Sequence, residues 1–306
     1  PPPGGSRYLI SYNENAMDLC NIRDVRDLLG RHGFRFSKSM GQNFLVADWV
    51  PQEIAAACGA DPSCGVLEIG PGIGCLTREL CARAGQVLSV ELDRALPPVL
   101  AETMAGVENF SLLQGDVLRL DLPALVDQSF RGLTPLACAN LPYNITTPAL
   151  RALVEARRFR TITVMVQREV ALRMAAAPGT ANYGAFSVYM QYFTEPEILF
   201  DVPSDCFLPA PKVTSAVIRC QIRAAPLVTP ACGEAFFFRT VRAAFALRRK
   251  TLRNSLASAF SDLDREKIAG AADACGLPPA VRGEVLGLEE LALLADRLWA
   301  AGGGAA

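Results

Sequence analysis

Short apolar runs alternate with segments of helical periodicity along the first half of the chain. The apolar runs predict buried strands at 66–69, 87–90, 110–113, 136–139 and 162–166. Apolar residues at helical spacing, with Asp48 as one helix cap, predict helices at 22–31, 49–58, 76–84, 95–104 and 149–156. Strands that alternate with helices predict a parallel, doubly wound α/β sheet. In such sheets the ligand groups come from the carboxyl ends of the strands.

Beyond Gln191 the alternation ends. Two strand-like segments, at 198–202 and 216–222, precede a proline-containing stretch at 226–230, and the chain then has helical periodicity as far as Trp299. This change predicts a Rossmann-like sheet domain followed by a small all-helical C-terminal domain. The predicted parts are a possible added or variable extension at 1–16, the sheet domain at 17–225 and the helical domain at 226–306.

Cysteine usage bears on the redox environment of the protein. The ten cysteines include no CxxC pair, and several lie in apolar runs such as that around Cys138. In a chain of 306 residues this distribution indicates reduced, buried thiols and a cytoplasmic protein. No metal site is expected, because His32 is the only histidine and thiolate clusters are absent. No apolar run reaches the roughly 18 residues that a membrane helix requires, so no membrane association is expected.

A glycine-rich turn follows the first predicted strand. Gly70, Gly72 and Gly74 open the next helix, where backbone N–H groups can face a ligand, although a plain strand-to-helix turn has the same pattern. Glu91 ends the following strand, where an acid can bind ribose hydroxyls or can simply be an exposed strand-end carboxylate. Asp116 ends the third strand and can accept from an adenine amino group or cap a helix. These features indicate a nucleotide-like cofactor without separating a nicotinamide from S-adenosylmethionine (SAM).

The segment Asn140-Leu141-Pro142-Tyr143 separates these two cofactors. The Asn140 side-chain oxygen and the Leu141 carbonyl are acceptors that can hold both N–H atoms of adenine N6 and direct its lone pair at a sulfonium methyl. Pro142 stiffens the turn, and Tyr143 can stack on an unstacked base. Alignment and charge stabilisation then provide most of the chemistry without a histidine base. An ordinary Asn/Pro turn is the alternative, but the position after the fourth strand favours methyl transfer to an adenine amino group.

Two further features are candidates for contact with a nucleic-acid substrate. Phe207, in a proline-rich loop, can form the second face of a sandwich around the base, or can pack in the core. The run 246–253 is predicted to be one helix with its cations grouped, and such a run is usually a solvated face. With Lys and Arg at 30 against Asp and Glu at 31, RNA contact requires a local patch of this kind. The cations of this run are Arg248, Arg249, Lys250 and Arg253.

Taken in order, the motifs resemble those of the bacterial small-subunit ribosomal RNA adenine dimethyltransferases, the dimethyladenosine synthases. The matching segments span residues 38 to about 256, and their joint occurrence in order is highly specific. They are Lys38-x-x-Gly41-Gln42-Asn43-Phe44-Leu45, Glu68-Ile69-Gly70-Pro71-Gly72, Glu91-Leu92-Asp93, Gly115-Asp116-Val117, Asn140-Leu141-Pro142-Tyr143, Phe207-x-Pro209-x-Pro211-Lys212-Val213-x-Ser215 and Phe245-x-x-Arg248-Arg249-Lys250-Thr251-Leu252.

The resemblance implies a SAM-dependent enzyme that converts two adjacent adenosines near the 3′ end of small-subunit (16S) rRNA to N6,N6-dimethyladenosine during ribosome biogenesis. It implies the small subunit or its precursor as the partner, and we expect the protein to act as a monomer. SAM contacts are implied at Asn43, Leu45, Gly70, Glu91, Asp116 and Asn140. We expect neighbouring residues to complete the cofactor site, namely Gln42, Gly72, Leu92 and Val117.

Other functions compete with this interpretation. The large-subunit rRNA adenine methylases of macrolide-resistance type share the fold and the catalytic turn, whereas the run Arg248–Leu252 and the long C-terminal region favour the small-subunit enzymes. A non-catalytic assembly or transcription factor is a second alternative, and the intact Asn140–Tyr143 turn and the cofactor acids argue against it. A nicotinamide oxidoreductase is a more distant third.

Overall fold

The computed structural model describes residues 17–37 and 41–303, which pack into two compact units. The first unit runs to Val166 and includes Asp201–Val217, and the second combines Gln167–Phe200 with the chain from Ile218 onward. These units, which are defined by how the chain packs, do not coincide with the predicted domains at 17–225 and 226–306. The predicted domains remain a prediction about function. The predicted extension at 1–16 and the motif residue Lys38 lie outside the described residues.

The described strands and helices include every element predicted for the sheet region. The strands, numbered in chain order, are β1 Phe44–Leu45, β2 Cys64–Ile69, β3 Gln86–Glu91, β4 Phe110–Gln114, β5 Thr134–Asn140, β6 Thr161–Gln167, β7 Thr194–Val202, β8 Phe207–Leu208 and β9 Ser215–Ile222. The helices are α1 Ile22–Arg31, α2 Trp49–Cys58, α3 Cys75–Cys81, α4 Pro97–Thr103, α5 Leu122–Ser129, α6 Thr146–Glu155, α7 Arg168–Met174, α8 Ala185–Phe193, α9 Glu234–Phe245, α10 Leu252–Ala259, α11 Arg265–Ala274 and α12 Leu288–Leu298. In the described part of the chain, no helix is both long enough and apolar enough to cross a membrane.

Seven strands form one sheet in the order β4-β3-β2-β5-β6-β9-β7, and β1 pairs with β8 in a separate antiparallel ribbon. The pairings from β4 through β6 are parallel as predicted, although the sheet as a whole is mixed. In the centre, Glu68 of β2 lies opposite Ser89 of β3 on one side and Cys138 of β5 on the other. Because the chain order reverses between β2 and β5, their carboxyl ends form a topological switch point, where α/β sheets bind ligands.

Local sequence explains the first helices and the central strand. The Asn21 side chain accepts from the backbone N–H of Arg23 at 2.9 Å, and Asp48 accepts from Trp49 N–H at 2.8 Å, so both helices start at polar caps. The predicted cap at Asp48 is therefore confirmed. The β2 strand is buried along its whole length, as is typical of a parallel strand that is covered on both faces.

The second unit contains the helices predicted for the C-terminal region, but the single helix predicted over 246–253 is wrong. The chain leaves α9 at Phe245 and re-enters a helix only at Leu252. Ser255 explains the break, because its hydroxyl donates to Ala243 O at 2.7 Å and accepts from Leu247 N–H at 3.1 Å. The side chain thereby takes partners that a continuous helix would satisfy with its backbone.

Candidate active site

A cavity in the first unit opens at the switch point of the sheet. It is bounded by the turns that follow β2 and β5, by the ends of β3 and β4, and by the segment around β1. The predicted cofactor residues on its lining are Gln42, Asn43, Leu45, Gly70, Gly72, Glu91, Leu92, Asp116, Val117 and Asn140, and the catalytic candidates on it are Leu141, Pro142 and Tyr143. The structure therefore brings together residues from five separate motifs of the sequence.

The glycine turn holds backbone close to this cavity. Gly70 and Gly72 have φ values of 69° and 59°, a left-handed conformation that glycine adopts without the penalty of a side chain. A Cβ atom on Gly72 would lie 3.2 Å from the Phe44 ring. The N–H of Gly70 donates to Val90 O at 2.9 Å, which fixes the turn to the end of β3.

Glu91 lies beside that turn and is only 6 % exposed, so it is not a solvated strand-end carboxylate. Burial raises the pKa of its carboxyl group, and hydrogen bonds from the backbone of Asp93, Gly72 and Leu92 oppose this rise. The bond from Asp93 N–H to Glu91 Oε1 is 2.7 Å long. The site thus holds a preorganised acceptor at the position predicted for ribose binding.

Asp116 has the capping role considered for it and also borders the cavity. Its Oδ1 accepts from Leu118 N–H at 3.0 Å and caps a 3₁₀ helix at Val117–Arg119, while the residue also lines the cavity. Its Oδ2 lies 3.4 Å from Arg119 Nε. Two lining leucines are exposed, Leu92 at 49 % and Leu118 at 41 %, and they offer apolar surface for a flat base.

The Asn140 turn presents two acceptors. The Asn140 amide nitrogen donates to Asn43 O at 3.4 Å, which leaves its side-chain oxygen as the acceptor. The N–H of Leu141 donates to Met165 O at 3.1 Å, whereas no hydrogen bond within the described residues ends on the Leu141 carbonyl oxygen. Both acceptors predicted to hold an amino group are therefore available in the folded protein.

The two aromatic candidates occupy different environments. The Tyr143 hydroxyl forms a 2.6 Å hydrogen bond with Ser215 Oγ, and burial raises the pKa of Tyr143. Phe207 is only 4 % exposed, pairs with Leu45 through the β1–β8 ribbon, and is not among the described residues that line the cavity. This arrangement favours the packing alternative for Phe207, and its role as a face of the base sandwich remains a prediction.

Residue-level reasoning missed Gln42 and Asn43, which entered only through the family resemblance. Gln42 Oε1 accepts from Ser37 N–H at 3.0 Å, and its Nε2 donates to Asp93 Oδ2 at 2.6 Å. Gln42 therefore links the segment before β1 to the loop after β3. The available sequence signal is Gly41, whose φ of 64° requires glycine.

The predicted RNA-binding cations lie in the second unit, at the turn between α9 and α10. Arg248 is 3.4 Å from Glu284 and also donates to Ala181 O, while Arg253 pairs with Asp273 at 2.5 Å. Arg249 and Lys250 are exposed, and their side chains have no hydrogen-bond or ion-pair partner among the described residues. A ligand can therefore bind their charges without breaking an internal ion pair.

The donor set of the cavity fits SAM. A buried carboxylate suits the ribose hydroxyls, exposed leucines suit the adenine ring, and the Asn140 turn faces the same space. Among the described residues no group of three or more His, Cys, Asp or Glu side chains is arranged to hold a metal ion. The parallel strand order, the glycine turn and the acid that follows it define a nucleotide-like cofactor site. The Asn140 turn on the same lining makes it the site of a SAM-dependent methyltransferase.

Comparison with known proteins identifies the family. The sequence model described as "Ribosomal RNA adenine dimethylase" matches residues 33–274. The chain is 46 % identical over 286 residues to "Ribosomal RNA small subunit methyltransferase A" of Pelotomaculum thermopropionicum, covering 91 % of this chain and 97 % of the relative. A relative of the same name from Geobacillus thermodenitrificans is 42 % identical over 285 residues, covering 92 % and 97 %. The protein belongs to the ribosomal RNA adenine dimethylase family.

Solved structures agree with this fold. The 23S rRNA methyltransferase ErmE superposes with a TM-score of 0.65 at 29 % identity, over 84 % of this chain and 99 % of that one. A dimethyladenosine transferase from Plasmodium falciparum gives a TM-score of 0.69 at 22 % identity, over 82 % and 95 %. At that identity the second likeness shows the fold alone.

Proposed function

We propose that this protein transfers methyl groups from SAM to N6 of two adjacent adenosines near the 3′ end of small-subunit rRNA, as a step in ribosome biogenesis. The observation that carries this proposal is the Asn140 turn, whose two acceptors face the cofactor cavity at the switch point. The names of the relatives at 46 % and 42 % identity support the small subunit as substrate. The large-subunit alternative has weaker support, since ErmE is 29 % identical.

The geometry explains how the chain activates a weak nucleophile. When bound, SAM supplies a methyl group on a sulfonium. The Asn140 side-chain oxygen and the Leu141 carbonyl accept the two N–H bonds of the adenine amino group, which directs the nitrogen lone pair toward that methyl group. Tyr143 supplies a flat ring for the base, and its bond to Ser215 fixes the ring. Positioning of this kind lowers the barrier because the reacting atoms meet already aligned.

We further propose that different parts of the chain bind the cofactor and the RNA. Residues 17–225 hold the cofactor and the base, and residues 226–306 bind RNA through Arg248, Arg249, Lys250 and Arg253. The exposed Arg249 and Lys250 support this assignment. The partner is the small subunit or its precursor. We propose that the protein acts as a monomer in the cytoplasm, where its free cysteines stay reduced.

Mass spectrometry of rRNA tests the proposed reaction. Undermodified small subunits are incubated with the protein and isotopically labelled SAM, and the label is expected in two adjacent N6,N6-dimethyladenosines. Label in large-subunit RNA instead would support the macrolide-resistance type of enzyme. Tight binding to the subunit without any transfer would support a non-catalytic assembly factor.

Replacement of Glu91 with alanine is expected to weaken SAM binding by roughly 10- to 100-fold, because a charged acceptor of ribose hydroxyls is lost. Glu91→Gln keeps the shape and one acceptor, so it is expected to weaken binding less. Isothermal titration calorimetry measures both dissociation constants. An unchanged constant in the alanine variant would remove Glu91 from the cofactor site.

Tyr143→Ala is expected to slow methylation, because a stacked ring contributes roughly 1–3 kcal/mol per base. Tyr143→Phe keeps the ring but loses the bond to Ser215, and we expect it to retain more activity than Tyr143→Leu. Phe207→Ala and Phe207→Tyr form the matched pair at the second position. If Phe207→Ala lowers the melting temperature without a selective loss of activity, the residue is a packing residue only.

A further inference from the structure

The lining of the cofactor cavity is acidic. Its described lining contains four carboxylate side chains and no lysine or arginine. These acids are Glu68, Glu91, Asp93 and Asp116. SAM carries one more positive charge than S-adenosylhomocysteine, the product that remains after methyl transfer, because the sulfonium becomes a neutral thioether. The charge of the lining therefore acts differently on the cofactor and on its product.

Glu68 is the most deeply buried of these acids, with 1 % exposure. Its Oε2 accepts from Ser89 Oγ at 2.6 Å and from Thr77 Oγ1 at 2.8 Å. No hydrogen bond within the described residues ends on Oε1. Two hydroxyls orient the carboxyl group but bring no positive charge to it, so nothing in its immediate surroundings neutralises the ionised form.

Among the described residues, the titratable groups that face Glu68 come from three neighbouring elements, and none of these groups is a cation. Glu91 at the end of β3 repels its ionised form. Cys81 of α3 is neutral, since burial, followed by the charge of Glu68, raises its pKa to about 12. Cys138 of β5 is also neutral, since a hydrogen bond with Cys58 and burial raise its pKa. Burial raises the pKa of Glu68 itself to about 7, and the bonds from Ser89 and Thr77 oppose that rise.

We propose that Glu68 is a specificity-determining residue, which makes the cavity prefer SAM over S-adenosylhomocysteine by ionising beside the cationic cofactor and taking up a proton beside the neutral product. A positive ligand stabilises the carboxylate, so SAM binding lowers the pKa of Glu68 and releases a proton. The affinity for SAM therefore rises as the pH increases through the pKa of about 7 in the free protein, whereas the affinity for the product changes less. The product is then released more readily than the cofactor near neutral pH.

This proposal rests on the proposed function, because it takes SAM as the cofactor. Calorimetry distinguishes failure of the role of Glu68 from failure of the cofactor assignment. Dissociation constants for SAM and S-adenosylhomocysteine are measured with the full chain at about pH 6 and about pH 8. We expect the preference for SAM to increase by up to about tenfold over that range, which corresponds to a shift of about one pKa unit. Titrations in buffers of different ionisation enthalpy are expected to show proton release with SAM and little with the product.

Variants make the assignment specific. Glu68→Gln is expected to give a smaller preference for SAM that no longer depends on pH. Glu91→Gln is expected to weaken both ligands, since ribose is common to them. It is expected to keep a pH dependence whose midpoint moves to lower pH, because the Glu91 charge no longer repels the ionised form of Glu68. If Glu68→Gln does not fold, Ser89→Ala serves instead. Loss of its hydroxyl bond raises the pKa of Glu68 and moves the midpoint to higher pH.

Two results would overturn the role of Glu68 while leaving the enzyme assignment intact. The first is a preference for SAM that does not depend on pH in the wild-type protein. The second is a pH dependence that is unchanged in Glu68→Gln together with a midpoint that does not move in Ser89→Ala. Failure of the wild-type protein to bind either ligand would instead contradict the cofactor assignment itself.

Discussion

Asn140→Ala is expected to lower methylation of undermodified small subunits by on the order of 10²-fold or more, because a positioned polar group at the reacting centre is lost. SAM binding is expected largely to persist although Asn140 is one of the implied SAM contacts, since the buried Glu91 carboxylate and the glycine turn are untouched. Single-turnover methylation assays measure the first effect and calorimetry the second. Wild-type turnover in this variant would contradict the role of the amide.

Asn140→Asp is the matched control for that experiment. It keeps an oxygen acceptor at the same reach but loses the amide nitrogen that donates to Asn43 O. If acceptance from the adenine amino group is what matters, the aspartate variant retains more activity than the alanine variant. Equal loss in both would show instead that the hydrogen bond to Asn43 is the essential one.

Simultaneous replacement of Arg248, Arg249 and Lys250 with glutamate is expected to abolish binding to the small subunit while leaving SAM affinity intact. The net charge of the chain is −1, so binding to RNA depends on a local set of phosphate contacts rather than on overall charge. The slope of log affinity against log salt is expected to flatten by roughly one unit for each phosphate that the variant no longer neutralises. Filter binding of purified subunits at several salt concentrations measures both quantities.

A charge-matched control separates this patch from a general change in charge. Arg26, Arg131 and Arg265 are exposed, and reversing all three gives the same net charge as the first variant. We expect this control to bind subunits with a nearly unchanged salt slope. An unchanged slope in the Arg248-Arg249-Lys250 variant would show that the turn is only a solvated surface. We also expect little methylation of a short naked hairpin, because a folded subunit presents several phosphate ridges at once.

Parts of the first unit were predictable because β2 is buried along its whole length and because α1, α2 and α5 begin at polar caps. The apolar run at 66–69 and the cap at Asp48 both appear as expected. The β1 and β8 strands were not predictable, since a two-residue strand has no periodicity to detect. The helix predicted over 246–253 failed because Ser255 takes backbone partners in the turn, a tertiary interaction that composition does not reveal.

In the candidate site, too, residues marked by a local sequence pattern could be predicted, and residues held by distant partners could not. Glu91 and Asn140 could be placed because each ends a strand that the apolar pattern identifies. Gln42 could not, because its partner Asp93 is 51 positions away and no local pattern connects them. The buried state of Glu68 was equally invisible, since the hydroxyls that hold it come from α3 and β3 and meet only after the sheet has formed.

The pairing of β2 with β5 joins segments that are distant in sequence, because β3 and β4 lie between them along the chain. Closing such a loop costs conformational entropy before any favourable interaction compensates, so non-local pairings of this kind form slowly relative to helices. The glycine turn and the Asn140 turn therefore become one binding surface only after this late step. A ligand held between them binds the folded chain and not the unfolded one, which shifts the folding equilibrium toward the native state by mass action. Cellular SAM thus acts on the amount of folded protein as well as on its turnover.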